Sequence, residues 1–168
     1  ILYDYLQSLN HKYDWEIIII NDGSTDSTGD ISDNFKKKHT NVIVLHHMYN
    51  YRLGQALRFA FAESHGDYVI VIDADLSYTP DHIEKMLLRI FKTRAKMVIA
   101  SPYTDGGKVS NVPWFRKMLS KYANKFLSIM AARDSFSDKL TTFTGMVRTY
   151  DGNFIRNLNL KAMDVDIL

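Results

Sequence analysis

Three observations predict an α/β fold, a mostly parallel sheet flanked by helices. Hydrophobic periodicity alternates between two and about 3.6 residues along most of the chain, as it does in successive βα units. The strand candidates include the continuous apolar runs from Ile17 to Ile20 and from Val69 to Ile72, which suit strands covered on both faces. The 168 residues, 46% of them hydrophobic, suit a single domain around one core.

Each element follows from local pattern. Ile1, Leu2, Tyr5, Leu6 and Leu9 recur at helical spacing, and residues 15–20 then read as a strand. Ser24-Thr25-Asp26-Ser27 supplies N-cap chemistry for a helix reaching about residue 38, and residues 42–45 form a second short strand. Leu53, Ala56, Leu57, Ala60 and Phe61 mark a helix over residues 53–64, followed by a third strand over 67–72. Thr79-Pro80-Asp81 is a strong helix start, with a capping hydroxyl, a proline at the first helical position and an acid in the first turn. That helix should reach about residue 93, with a fourth strand at 96–100. A loop punctuated by Gly and Pro spans 101–113, and a long helix 113–132. Thereafter a loop is expected at 134–139, a strand or irregular segment at 144–150, a short helix at 151–157 and a last strand at 162–167. The chain opens on Ile1 and stops inside that last strand, so it is expected to be a single domain, residues 1–168, cut from a longer protein.

Composition excludes several classes. Lys+Arg 21 against Asp+Glu 19 gives a net charge of +2, too balanced for a sequence-blind nucleic-acid binder, so no nucleic-acid partner is expected. With no cysteine, disulfide scaffolds, thiolate catalysis and cysteine zinc sites are ruled out. Apolar runs fall far short of the roughly 18 residues that a membrane-spanning helix needs, and no signal peptide is visible. Neither G-x-G-x-x-G nor G-x-x-x-x-G-K-[ST] is present, which argues against a dinucleotide-binding oxidoreductase and a P-loop hydrolase.

Ligands of parallel sheets bind at the carboxyl ends of strands. The first buried strand ends in Asn21-Asp22-Gly23-Ser24 and the third in Asp73-Ala74-Asp75, so both acidic clusters fall at one sheet edge. Two carboxylates in Asp-x-Asp can hold a hard divalent cation through oxygen, and the same residues also suit an ordinary Asp-rich turn. His46, His47 and His82 lack partners at metal-ligand spacing and read as core or surface residues.

The order of Asn21-Asp22-Gly23-Ser24-Thr25-Asp26-Ser27-Thr28, residues 50–56 (NYRLGQA), and Gly66-Asp67-Tyr68-Val69 leading into Asp73-Ala74-Asp75-Leu76 resembles the nucleotide-sugar domain of family 2 glycosyltransferases, which have the GT-A (nucleotide-diphospho-sugar transferase) fold. Ser101-Pro102-Tyr103 with Gly106-Gly107, and Trp114-Phe115-Arg116-Lys117 with Ser120, Ala123 and Asn124, resemble the branch of that family that acts on polyprenyl phosphates, typified by dolichol-phosphate mannose synthase. The resemblance covers roughly residues 15–150.

The resemblance implies that Asp22 contacts the nucleotide base and that Asp73 and Asp75 bind the sugar nucleotide and its Mg2+ or Mn2+. With them it implicates Gly54 in nucleotide-sugar binding, Ser77 as a further metal ligand, Arg116 and Ser120 near the acceptor phosphate, and Arg148 near the diphosphate; Asp75, Arg116, Ser120 and Arg148 form the expected catalytic set. Four positions depart from the family pattern: Ser77 replaces a Gln, Pro102 an Arg, Arg52 a Gly, and the acid of D-x-T-S-G is unmatched unless Asp138 substitutes through a gap. The strand that opens the family's sheet, ending in P-x-Y-N-E, is also expected to be lacking, leaving one wall of the base pocket absent.

On the long helix, Phe115, Leu119, Tyr122, Phe126 and Met130 form an apolar stripe beside the row Lys117, Lys121 and Lys125. Such a helix either covers the sheet or meets an anionic lipid surface, and the resemblance favours the second. A phosphate acceptor, with its second pKa of about 6, needs no enzyme base, whereas a hydroxyl acceptor would need one, with Asp105, Asp138 and Asp164 as loose candidates. The expected function is inverting transfer of a hexose from a nucleotide-diphosphate sugar to a polyprenyl (dolichyl-type) phosphate. It would take place on the cytoplasmic side, peripheral to the inner face of the cell membrane. Transfer to a saccharide or protein hydroxyl, and a non-catalytic nucleotide-binding domain, are the rival readings.

Overall fold

The structure, a computed structural model, describes residues 1–76, 78–101, 118, 122–123 and 145–160. The first helix, α1 (Leu2–Ser8), leads to strand β1 (Ile17–Asp22). Helix α2 (Thr28–Lys36) connects β1 to β2 (Val42–His47), which pairs with it in parallel, Ile17 opposite Val42 and Asp22 opposite His47. Both strands run two residues past their expected ends, carrying Asp22 and His47 into the ladder. Tyr3 of α1 packs edge-on against Trp15 and Phe35, with centroids 5.3 and 5.6 Å away, and so fastens α1 across β1 and α2. The four isoleucines of β1 are all half-buried rather than buried as the apolar run predicts, because among the described residues β1 pairs along one edge only.

Helix α3 (Leu53–Glu63) and strand β3 (Tyr68–Val71) follow, then helix α4 (Asp81–Thr93) and strand β4 (Met97–Ile99). Ile83, Met86, Leu87 and Ile90 of α4 are buried, the i, i+3, i+4, i+7 stripe of an amphipathic helix. The hydroxyl of Thr79, expected to cap the helix, instead donates to the Asp81 carboxylate. Strand β5 (Arg148–Asp151) lies between β3 and β4 and is antiparallel to both. This departs from a purely parallel arrangement for a topological reason. After β4 the chain leaves at the carboxyl edge and returns there at Val147, so it can enter the sheet only in the opposite direction. The last described element is helix α5 (Gly152–Asn157), capped by the Asp151 carboxylate, which accepts from the Phe154 N–H at 2.8 Å.

Two clusters of buried side chains cover the faces of the second sheet. Leu57 and Phe61 of α3 meet Tyr150 of β5 and Ile155 of α5 on one side, and Met86 of α4 meets Ala100 and Val147 on the other. Burying such apolar side chains stabilises the fold by roughly 1.5–3 kcal/mol each. Glu16, immediately before β1, accepts from the His65 N–H at 2.7 Å, just upstream of β3. The two strands therefore start at one edge and run from it toward their acidic ends. Among the described residues no helix is long and apolar enough to cross a membrane. Apart from Met118, Tyr122 and Ala123, which are helical, the expected helix 113–132 lies outside the described residues, as do the loop 134–139 and the strand 162–167.

Candidate active site

The end of β1 is held by two side-by-side hydrogen-bond systems. Asn21 is buried; its Oδ1 accepts from the Ser24 N–H at 3.1 Å, and its Nδ2 donates to Nδ1 of His46 at 3.1 Å. Nε2 of His46 then donates to Asp33 of α2 at 3.1 Å. One position further along, Nδ1 of His47 donates to Oδ1 of Asp22 at 2.5 Å, and the Tyr51 N–H donates to the same oxygen at 3.0 Å. Gly23 makes the turn possible: its φ is +73°, and a Cβ there would fall 2.4 Å from the Tyr49 carbonyl carbon. The segments 21–28 and 50–56, 29 residues apart in the chain at the contact between Asp22 and Tyr51, thus meet at Asp22. Gly54 is buried in the first turn of α3, beyond that junction.

At the end of β3, Asp73 is half-buried and Asp75 exposed. The Leu76 N–H donates to the Asp73 carbonyl at 3.0 Å, and Leu76 adopts a φ of +52°, folding both acids onto one turn. Burial pushes the Asp73 carboxyl above the ordinary carboxylate range, and the neighbouring charge of Asp75 adds to the shift. A carboxylate whose ionisation is opposed by burial and by a neighbouring acid is one that a divalent cation relieves, so the pair fits a hard metal held through oxygen. Among the described residues no group of three or more His, Asp or Glu side chains surrounds a candidate metal position. Ser77, the remaining expected ligand, lies outside the described residues.

Arg148 opens β5 opposite Val71 and Ile99, at the edge of the sheet where β3 and β4 end. Its side chain is buried at 2% exposure, and its Nε donates to the Gly145 carbonyl at 2.7 Å. The structure thus brings Arg148 to the carboxyl edge with its guanidinium held inside the sheet's end. Arg116 and Ser120 lie outside the described residues, as do Pro102, the lysine row 117, 121 and 125, and the base candidates Asp105, Asp138 and Asp164. A cavity of about 410 Å³ lies elsewhere, between α3 and α5, lined by Gln55, Arg58, Phe59 and Arg156 among others; His47 borders it, but none of the three acids does.

Sequence reasoning found the acids and missed their partners. The signal for His47 was its position: in a parallel pair, residues closing adjacent strands stand side by side, and both strands end in polar residues.

Residues 1–159 match the model of the glycosyl transferase family 2. The chain is 36% identical over 118 residues to a dolichol-phosphate mannosyltransferase of Pyrococcus furiosus, covering 70% of this chain and 32% of that protein. It is 30% identical over 152 residues to an undecaprenyl-phosphate mannosyltransferase of Micrococcus luteus, covering 89% and 60%. A dolichyl-phosphate beta-glucosyltransferase of Trichomonas vaginalis is 30% identical over 123 residues, covering 70% and 38%. The chain therefore spans less than two thirds of the length of these relatives. The βα order, the acid-tipped strands and the match over nearly the whole chain agree: the chain belongs to glycosyl transferase family 2 and has that family's α/β GT-A fold.

Proposed function

We propose that the chain is the catalytic part of an inverting glycosyltransferase that moves a hexose from a nucleoside diphosphate to a polyprenyl phosphate at the inner face of the membrane. The observation that carries this reading is the Asp73 and Asp75 pair, folded onto one turn at the end of β3 with Asp73 held above its ordinary pKa. Asp73 and Asp75 would hold Mg2+ or Mn2+, with Ser77 as a third oxygen; when bound, the cation supplies charge neutralisation for the leaving diphosphate. Asp22 would accept a hydrogen bond from the base, and Arg116, Ser120 and Arg148 would serve the phosphate groups. The names of the relatives support a polyprenyl phosphate acceptor, and both mannosyl and glucosyl transferases stand among them. Such an acceptor is already largely ionised near neutral pH, so its attack needs no enzyme base. In a single displacement the bond from the anomeric carbon to the nucleoside diphosphate breaks as the new one forms, and that carbon is inverted.

The test is thermal stability and transfer with uridine and guanosine diphosphate sugars and Mn2+, using the full protein that carries this chain. Asp75→Ala is expected to abolish the metal-dependent stabilisation and to lower transfer at least about 100-fold, the scale of losing one electrostatic contact to the transition state. Asp73→Asn separates the site from the fold. Because the folded state raises this pKa, ionising Asp73 costs stability as pH rises from the ordinary carboxylate range through the raised value. The metal-free Asn variant should therefore be at least as stable as its parent at neutral pH, with the difference shrinking on acidification, while its response to Mn2+ is lost. Metal-dependent binding that survives Asp75→Ala would sink the assignment, and transfer to a saccharide hydroxyl in place of the lipid phosphate would replace the acceptor.

A further inference from the structure

We propose that His47 is a positioning residue that fixes the carboxylate of Asp22 for nucleoside diphosphates whose base presents a ring N–H, uridine or guanosine; this rests on the reading of Asp22 as the base contact. A carboxylate at a strand end turns about its last torsion and reads a ligand poorly unless its plane is fixed. Here two donors converge on one oxygen. Nδ1 of His47 donates to Oδ1 at 2.5 Å and the Tyr51 N–H at 3.0 Å, while Oδ2 carries no hydrogen bond among the described residues. The Asp22 side chain is 21% exposed and that of His47 13%, so both are half-buried and the acid keeps access to solvent.

The imidazole is in turn held by its neighbours. It stacks on Phe59 of α3 at 5.3 Å with a 13° interplanar angle, and the Tyr51 ring meets it edge-on at 5.1 Å and 87°. Those two rings fix the plane of the imidazole, and the hydrogen bond to Asp22 selects the flip that turns Nδ1 toward the acid. A carboxylate is an acceptor only, so Oδ2 suits the imide N–H of uracil or the ring N–H of guanine. It suits cytosine and adenine less well, because their ring nitrogens at the corresponding edge are acceptors. Fixing Oδ2 therefore bears on which base is chosen as well as on affinity.

The alternative is that the pair merely ties β1 to β2. Binding of UDP, GDP and CDP to the full protein that carries this chain separates the two. His47→Phe keeps the ring and removes the donor; it is expected to weaken UDP or GDP binding roughly five-fold, to narrow the preference over CDP, and to raise the donor KM with kcat unchanged. His47→Asn places an amide N–H where Nδ1 stood and should restore affinity to within about two-fold. Equal affinity in His47→Phe and the parent overturns the proposal, as does an equal loss for all three nucleotides or a loss that His47→Asn does not repair. Where Asp22→Ala weakens binding and His47→Phe does not, His47 alone is wrongly assigned; where Asp22→Ala changes nothing, the base-contact reading fails and this inference with it. If His47→Phe does not fold, His47→Leu takes its place in the same comparison, and nitrogen NMR of the parent refutes the geometry should Nδ1 of His47 carry no proton.

Discussion

Arg52 and Gly23 meet similar backbone demands in opposite ways. Arg52, just before α3, has φ +69° and ψ 168°, a region that is essentially glycine's own and costs a larger residue about 1–3 kcal/mol. It stands where the family pattern has Gly. Replacing it by Gly removes that strain and adds about 0.5–1 kcal/mol of chain entropy to be lost on folding. On backbone terms alone Arg52→Gly should raise stability by about 1 kcal/mol, less what the side chain's own contacts contribute, and a net gain would be read as a higher urea midpoint with an unchanged slope. A lower midpoint would mean that interactions of Arg52 outweigh the strain. The acids at 22, 73 and 75 were legible in the sequence because they follow apolar runs, which places them at strand ends. The role of His47 was not legible, because it depends on the register of two strands twenty-five residues apart.

At the scale of elements, the described helices α1 to α5 and the first four strands were legible, since periodicity marks them and Pro80 fixes where α4 begins. Strand β5 was legible only as extended chain. Its antiparallel course is decided by the edge at which the chain returns, and nothing in residues 145–151 records that edge. The strand also carries a local conflict. Arg148 and Tyr150 face α3 and α5, whereas Val147 and Thr149 face α4, and the Thr149 Oγ1 is buried with no hydrogen-bond partner among the described residues. Removing an unsatisfied hydroxyl while keeping the β-branched shape should stabilise, so Thr149→Val is expected to gain about 1 kcal/mol. At this chain length that raises the melting temperature by about 2–4 °C. A loss of stability would show that the hydroxyl has found a partner.

Across the whole molecule, the described strands form two sheets that share no ladder, β1 with β2 and β3 with β5 and β4. Helix α3 joins them: it packs on β1 and sends Leu57 and Phe61 into the cluster with Tyr150 and Ile155. Phe61 is 3% exposed, and its ring meets that of Tyr150 edge-on at 5.5 Å, so it anchors the second sheet to the helix that carries the first. The bonds from His65 to Glu16 and from Lys12 to Glu84 of α4, at 2.7 and 2.8 Å, also cross between the two parts, and both are exposed, so they contribute little beside a buried aromatic. Phe61→Ala should cost about 3–5 kcal/mol, a large share of the roughly 5–15 kcal/mol by which a domain is stable, and lower the melting temperature by on the order of 10 °C. If α3 makes the two sheets one cooperative unit, the variant still melts in a single step. Far-ultraviolet dichroism and the fluorescence of Trp15, in a Trp114→Phe background, should then trace coincident curves. Separate curves would show that the acid-tipped β1 and the Asp73–Asp75 turn after β3 sit on units that open independently. The two halves of the proposed nucleotide site would then be brought together by the ligand rather than by the fold.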